Sequence, residues 1–115
     1  MRILFDQGTP RGLIRELPDH TVTTAKGMGW EQLSNGKLLK AAEESSFELF
    51  LTTDQRIQYQ QNLAGRKIAL VVLTGTTKWS QVRLHVARIV IAVEASRPGT
   101  YTEVFIPFKQ RNPTA

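Results

Sequence analysis

The sequence predicts an α/β fold, a three-layer α/β/α domain with a mostly parallel sheet of about five strands. Short apolar runs such as residues 47–51 and 67–73 have the length and content of strands buried on both faces of a sheet. Segments with apolar residues at helical spacing alternate with these runs. That alternation is typical of βαβ units with right-handed crossovers and helices on both faces of the sheet.

The first third of the chain begins with a strand at residues 1–5. Thr9 followed by Pro10 predicts a helix start, with the threonine as N-cap, and Pro18 ends that helix. Residues 20–24 are β-branched and alternating, which predicts a second, shorter strand nearer the sheet edge.

The rest of the chain alternates helices with strands. Ser34 or Asn35 caps a predicted helix that runs to about residue 45, before the strand at 47–51. Further elements are predicted at the following positions: a helix at 55–63, a strand at 67–73, a helix from 79 to about 95 and a strand at 101–106. The direction of the last strand cannot be read from the sequence. We assign residues 1–108 to one domain and 109–115 to a flexible tail.

Composition excludes several classes of function. There is no cysteine, and therefore no disulfide, thiolate metal site or cysteine nucleophile. No apolar run approaches the roughly 20 residues that span a bilayer, and the amino terminus lacks signal-peptide architecture, so we expect a cytoplasmic protein without membrane contact. A net charge of +5 favours a nucleic-acid or acidic protein partner, although a solvated basic surface explains it equally well.

Two carboxylates follow two of the buried strands. Asp6 comes directly after the first strand, and Asp54 follows Thr52 and Thr53 at the end of another. The two threonines are either hydrogen-bond partners of the Asp54 loop or ordinary strand residues. If these strands are parallel neighbours, both aspartates lie at the edge where open α/β sheets bind ligands. Paired carboxylates there are suited to holding Mg²⁺ or Mn²⁺ against a phosphate. The alternative is structural, because Asp54 is also well placed to cap a helix that begins near Gln55.

Several short motifs, in this order, resemble the PIN-like proteins of the DUF5615 family. They are Asp-Gln-Gly-Thr-Pro after the first strand, His-Thr-Val-Thr-Thr, Leu-Ser-Asn-Gly at a helix start, Leu-Thr-Thr-Asp, and the strand Ile-Ala-Leu-Val-Val-Leu. The resemblance spans roughly residues 1–79. It implies a small relative of the PIN-domain nucleases, which are metal-dependent ribonucleases and include toxins restrained by a small antitoxin protein.

Carried onto this sequence, the resemblance places the catalytic and metal-binding carboxylates at Asp6 and Asp54, with Mg²⁺ or Mn²⁺ as cofactor. Family members often have Glu where this chain has Gln7, and an acid near the helix start where it has Asn35-Gly36-Lys37. These departures weaken the expectation of catalysis. We expect polar and basic side chains near the same edge to contact the RNA or to orient water: Gln7, Arg11, Asn35, Lys37, Thr53 and Arg56.

Two functions therefore remain open. The first is a PIN-like, metal-dependent ribonuclease, with RNA as substrate, an antitoxin as a further partner and a homodimer as a further expectation. The second is a degenerate PIN-like domain that binds RNA or a protein without cleavage. Lys37 discriminates between them: an ammonium group between the two aspartates favours binding, whereas entry of Glu31 or Glu43 into the site favours catalysis. For a purely structural subunit the sequence offers no positive feature.

Overall fold

The computed structural model describes residues 1–57 and 65–109, and its centre is a five-stranded, entirely parallel sheet. The predicted α/β class is confirmed, and the last strand proves to run parallel to its neighbour. The strands are β1 (Arg2–Phe5), β2 (Thr21–Thr24), β3 (Leu49–Thr52), β4 (Ala69–Gly75) and β5 (Tyr101–Ile106).

The strand order across the sheet is β2-β1-β3-β4-β5. The chain therefore moves to one side of β1 to form β2 and then crosses to the other side for β3, β4 and β5. The order reverses between β1 and β3, which pair with Phe5 opposite Leu51. In open α/β sheets such a reversal opens a crevice beyond the carboxyl ends of the two strands, and ligands bind there.

Helical segments cover both faces of the sheet, as the three-layer prediction requires. Ile3 and Phe5 of β1 point to one face, where they pack with Leu13, Ile89 and other apolar residues of the helical segments on that side. Leu4 points to the opposite face, where a second cluster contains Leu38, Leu39, Ala42, Phe50 and Leu70. Alternate residues of one strand thus enter two cores, which explains the unbroken apolar runs.

The helix α1 (Asn35–Glu44) explains why β3 starts at Leu49 and not at residue 47 as predicted. Ser46 adopts a positive φ of 65° after the helix. The Ser46 N–H donates to the Glu43 carbonyl and the Phe47 N–H to the Ala42 carbonyl. This is the hydrogen-bond pattern of a Schellman cap. Phe47 therefore belongs to the helix end, although its apolar side chain extends the strand pattern.

The remaining helical segments differ from the predicted ones in type. The segment after β1 is a 3-10 helix (Arg11–Glu16) rather than an α-helix. The long helix predicted from 79 to about 95 is divided into α2 (Trp79–Val82), a 3-10 turn (Arg83–His85) and α3 (Val86–Ala95). Apolar spacing alone does not reveal the tightening from α to 3-10 geometry in a single turn.

The predicted N-cap role of Thr9 is wrong. The structure gives the 3-10 helix no side-chain cap, and its flanking residue is Pro10. The Thr9 side chain is buried, and its hydroxyl lies 2.7 Å from Asp6 Oδ1 and 3.0 Å from the Leu51 carbonyl oxygen. The hydroxyl therefore connects the loop after β1 to β3 and does not cap the helix.

Some predictions fall outside the described residues. They are most of the helix at 55–63, with its Gln- and Asn-rich run, and the tail beyond residue 109. Across residues 1–57 and 65–109, no helix combines the length and the apolar content needed to cross a membrane.

Candidate functional site

The two predicted aspartates come from the two strands that flank the reversal in strand order. Asp6 directly follows β1, and its backbone N–H donates to the Leu51 carbonyl of β3 at 3.2 Å. Asp54 lies two residues beyond the end of β3. The loop after β1 continues into the face that contains Leu13, whereas Ile57 packs into the opposite face. The two loops thus lead to opposite faces of the sheet from neighbouring strand ends.

One buried hydroxyl connects the two aspartates. Thr52, the last residue of β3, is completely buried. Its Oγ1 donates to Asp6 Oδ2 and accepts a 3.0 Å hydrogen bond from the backbone N–H of Asp54. The hydroxyl uses its proton for one aspartate and a lone pair for the other. Thr52 therefore sets the position of the Asp6 carboxylate relative to the loop that carries Asp54.

The Asp6 carboxylate is held by neutral groups only. Thr9 donates to Oδ1 at 2.7 Å and Thr52 donates to Oδ2. Within the described part of the chain, no cationic side chain lies within ion-pair distance of Asp6. Because each carboxylate oxygen accepts about two hydrogen bonds, both oxygens retain a free lone pair. Asp6 also lines two adjacent cavities, so it presents an uncompensated charge to a space open to ligands.

The Asp54 carboxylate is already compensated. Its Oδ1 accepts hydrogen bonds from the Arg56 backbone N–H at 3.0 Å and from Arg56 Nε at 3.2 Å. Its Oδ2 accepts one from Asn35 Nδ2 at 3.0 Å and one from Arg56 Nη2 at 3.4 Å. The bonds from the Arg56 guanidinium and then from the Asn35 amide lower the pKa of Asp54, against a smaller opposing effect of burial. The bond from the Arg56 N–H to Oδ1 has the i to i+2 form found in helix caps and Asx turns. The helix that Asp54 was expected to cap lies mostly outside the described residues, so the capping role stays a prediction.

Two cavities adjoin Asp6. The larger, about 500 Å³, lies between the ends of β1 and β2 and is lined by Gln7, Arg11, Thr24 and Lys26 among others. The smaller, about 150 Å³, is lined on its polar side by Gln7, Glu31 and Asn35. Neither lining includes Asp54. The structure thus groups three predicted residues with Asp6, namely Gln7, Arg11 and Asn35.

Close packing holds the loop after β1 against the end of β3. A methyl group at Gly8 would lie 2.5 Å from Thr53 Oγ1, so any larger residue there would force the Thr53 side chain or the loop to shift. Thr53, a predicted water-orienting residue, therefore lies beside the loop that carries Asp6 and Gln7. Its role toward a ligand stays a prediction.

Lys37, Glu31 and Glu43 were expected to discriminate between catalysis and binding. Lys37 is exposed on the first turn of α1 and forms no ion pair with either aspartate within residues 1–57 and 65–109. Glu31 lines the smaller cavity together with Asp6. Glu43, in contrast, accepts bonds from Arg66 and from the Lys67 N–H, just ahead of the amino end of β4. Of the two glutamates, Glu31 alone approaches the site.

Two residues of this region were not predicted from the sequence: Thr9 was interpreted as a helix cap, and Lys26 was not considered. For Thr52 the sequence left two roles open, a hydrogen bond to the loop of Asp54 or ordinary strand propensity, and the bond that its hydroxyl oxygen accepts from the Asp54 N–H confirms the first. For Lys26 the sequence offered no signal, since its place beside Asp6 results from the pairing of β1 with β2.

A divalent cation fits Asp6 better than it fits Asp54. In the described residues no three His, Cys, Asp or Glu side chains cluster as a ready set of ligands. Mg²⁺ nevertheless needs only one or two carboxylates when water and substrate phosphate complete its oxygen ligands. Asp6 has free lone pairs that face a cavity, whereas Asp54 can act as a second ligand only after the Arg56 guanidinium moves. Arg56 is 77% exposed, so little packing opposes that movement.

Comparison with known proteins yields no relative from which a role could be transferred: no protein-family model, no curated protein and no solved structure matches this chain.

Proposed function

We propose that the protein is a Mg²⁺- or Mn²⁺-dependent ribonuclease of the PIN-like type, in agreement with its sequence resemblance to the DUF5615 family. The observation that carries the proposal is the placement of Asp6 and Asp54 at the reversal in strand order, joined through the Thr52 hydroxyl. A carboxylate with free lone pairs beside an open cavity provides a place for a divalent cation.

In this proposal the residues of the chain have distinct tasks. Asp6 holds the cation, Thr9 and Thr52 orient its two carboxylate oxygens, and Asp54 becomes a ligand when Arg56 releases it. The smaller cavity is lined by Gln7, Glu31 and Asn35, which can form hydrogen bonds with water there. A bound cation would polarise the phosphoryl oxygen and lower the pKa of a bound water. Arg11 and Arg56 then contact the RNA backbone.

The resemblance adds two proposals about partners. A small antitoxin protein would restrain the nuclease, and two copies of the chain would associate. The excess of basic residues, with a net charge of +5, supports a polyanionic partner in either case.

A second candidate function is RNA binding without cleavage. It is favoured by one specific observation: Asp54, the second expected metal ligand, is paired with the Arg56 guanidinium and also accepts a hydrogen bond from Asn35. Under this alternative the internal cation takes the place of a metal, and the site retains its affinity for RNA but loses its chemistry.

Cleavage of a fluorogenic single-stranded RNA with and without Mn²⁺ distinguishes the two functions. The variants are Asp6→Asn and Asp54→Asn, and Asp19→Asn is the matched control because Asp19 is an exposed aspartate outside both cavities. We expect Mn²⁺-dependent cleavage that is lost in both site variants and retained in the control. Cleavage that survives both site substitutions would refute the nuclease, and RNA binding without cleavage would establish the alternative.

A further inference from the structure

The larger cavity beside Asp6 is lined partly by side chains that have no part in the proposed metal site. Its volume of about 500 Å³ lies within the range of about 300–1,000 Å³ typical of small-molecule sites. Its lining includes Asp6 together with Arg11, Thr24 and Lys26. The cavity thus combines a carboxylate with two cations and a hydroxyl group contributed by different segments of the chain.

Lys26 occupies a well-defined turn after β2. The Ala25 N–H donates to the Phe5 carbonyl at 2.7 Å, and the Gly29 N–H donates to the Lys26 carbonyl at 3.0 Å. The backbone on both sides of Lys26 is therefore tied to the sheet and to its own turn. Its side chain is exposed and forms no ion pair in the described part of the molecule. The ammonium group is consequently available to an anion in the cavity.

Arg11 belongs to a different segment of the cavity lining, and its backbone is equally fixed. It begins the 3-10 helix, which Leu13 anchors by complete burial in the core. The next residue, Gly12, lies so close to the Trp79 ring that an added methyl group would be 2.6 Å from ring carbons. The Arg11 side chain is exposed, and no carboxylate in the described residues neutralises it.

Thr24 supplies a further donor. Its hydroxyl oxygen accepts a 2.9 Å hydrogen bond from the Gly27 N–H, which orients the group at the end of β2. Within residues 1–57 and 65–109, the hydroxyl proton has no protein acceptor. A hydroxyl whose lone pair is engaged and whose proton is free acts as a donor toward a ligand.

From this arrangement we infer that the larger cavity is a subsite for a nucleotide phosphate of single-stranded RNA, held by Arg11 and Lys26 with Thr24 as hydroxyl donor. The inference rests on the proposed function, because it takes the cavity as the binding site of the nucleotide that neighbours the one at Asp6. Guanidinium and ammonium groups are the usual partners of backbone phosphates. The volume also leaves room for the sugar and base, which a carboxylate of an acidic peptide would not fill.

The test measures RNA binding without cleavage. Fluorescence anisotropy of a labelled single-stranded RNA of ten nucleotides is recorded in EDTA, so that no divalent cation contributes. The subsite variant is Arg11→Gln with Lys26→Gln. The control is Lys67→Gln with Arg97→Gln, two exposed cations that precede the amino ends of β4 and β5. Each pair removes two positive charges from the net charge of +5. Thermal unfolding of both double variants verifies that they fold.

We expect the subsite variant to bind about tenfold more weakly and the control to weaken by less than about threefold. The slope of log affinity against log salt should fall by about 0.7 for each phosphate that the variant no longer neutralises. Equal weakening in both double variants would show general attraction of RNA to a basic surface and overturn the inference. Absence of RNA binding by the unmodified protein, or displacement of RNA by an acidic peptide more readily than by a nucleoside monophosphate, would also overturn it.

The outcome is separable from that of the proposed function. Mn²⁺-dependent cleavage that is lost in Asp6→Asn, combined with equal binding by the two double variants, would leave the nuclease standing and remove the subsite. No cleavage by the unmodified protein, combined with selective weakening in the subsite variant, would remove the nuclease and retain the cavity as an RNA-binding site.

Discussion

The loop after β1 and the loop after β3 present similar aspartates in opposite electrostatic states. Asp6 is held by two hydroxyl groups from Thr9 and Thr52, which orient it without neutralising it. Asp54 is held by the Arg56 guanidinium, which compensates its charge, and by the Asn35 amide, and both bonds lower its pKa. The difference shows that a place at a strand end brings an aspartate to the ligand-binding edge of the sheet. The groups that donate hydrogen bonds to its carboxylate then decide whether it can bind a cation.

The largest expected effect tests whether the two aspartates really differ toward metal. Mn²⁺ titration by calorimetry should show that Asp6→Asn weakens binding by about 100-fold or more, since even loss of a supporting residue costs about 10–100-fold. Asp54→Asn should cost less, because Asp54 must first leave Arg56. Equal weakening in the two variants would contradict the asymmetry.

A substitution at the connecting hydroxyl should affect both loops at once. Thr52→Val keeps the shape of the buried side chain but removes the donor to Asp6 and leaves the Asp54 N–H without its acceptor. Leaving a buried polar group unsatisfied costs about 1–3 kcal/mol, so the free energy of unfolding should fall by that amount. Urea denaturation measures it, and Thr52→Ser is the control because it retains the hydroxyl. A valine variant as stable as the serine variant would disprove the role of this hydroxyl.

Removing the competing cation should make Asp54 resemble Asp6. Arg56→Ala is expected to strengthen Mn²⁺ binding severalfold, up to about tenfold, because an exposed ion pair offers only weak competition. Arg15→Ala is the matched control, since Arg15 is an exposed arginine that lines neither cavity. Unchanged or weaker Mn²⁺ binding in Arg56→Ala would show that the guanidinium does not compete with the metal.

The smallest expected effect is on the free energy of unfolding at acidic pH. Because bonds from Arg56 and Asn35 lower the folded-state pKa of Asp54, the stability they add is fully present above the ordinary aspartate pKa of about 3.9. It is lost as the pH falls through the lower folded-state value. The difference in unfolding free energy between the unmodified protein and Asp54→Asn should therefore be constant from pH 7 to about pH 5 and shrink below about pH 4. Urea unfolding at each pH measures it, and a difference that grows on acidification would contradict the depressed pKa.

The sequence by itself determined the class of fold and the locations of the two aspartates. Apolar runs bounded by polar turns predicted β1, β3 and β4 within a few residues, because burial on both faces of a parallel sheet acts on consecutive side chains. The two edge strands, β2 and β5, were predicted from β-branched or alternating residues. Asp6 and Asp54 were predictable for the same local reason, since each follows a buried strand. The local pattern gave a wrong prediction for Thr9, whose hydroxyl bonds to Asp6 and to the Leu51 carbonyl of β3 and does not cap a helix.

Only the tertiary structure decided which strands are neighbours and what each carboxylate contacts. The crossover from β2 past β1 to β3 placed Thr52 between the two aspartates, and the pairing of β2 with β1 brought Lys26 to the cavity beside Asp6. Asn35 reached Asp54 from another segment, whereas Arg56 bonds to Asp54 within the same loop. The physical reason is that hydrophobic period is a local property of the chain, whereas strand order, and with it the contacts of Thr52, Lys26 and Asn35, depends on groups that are distant in sequence.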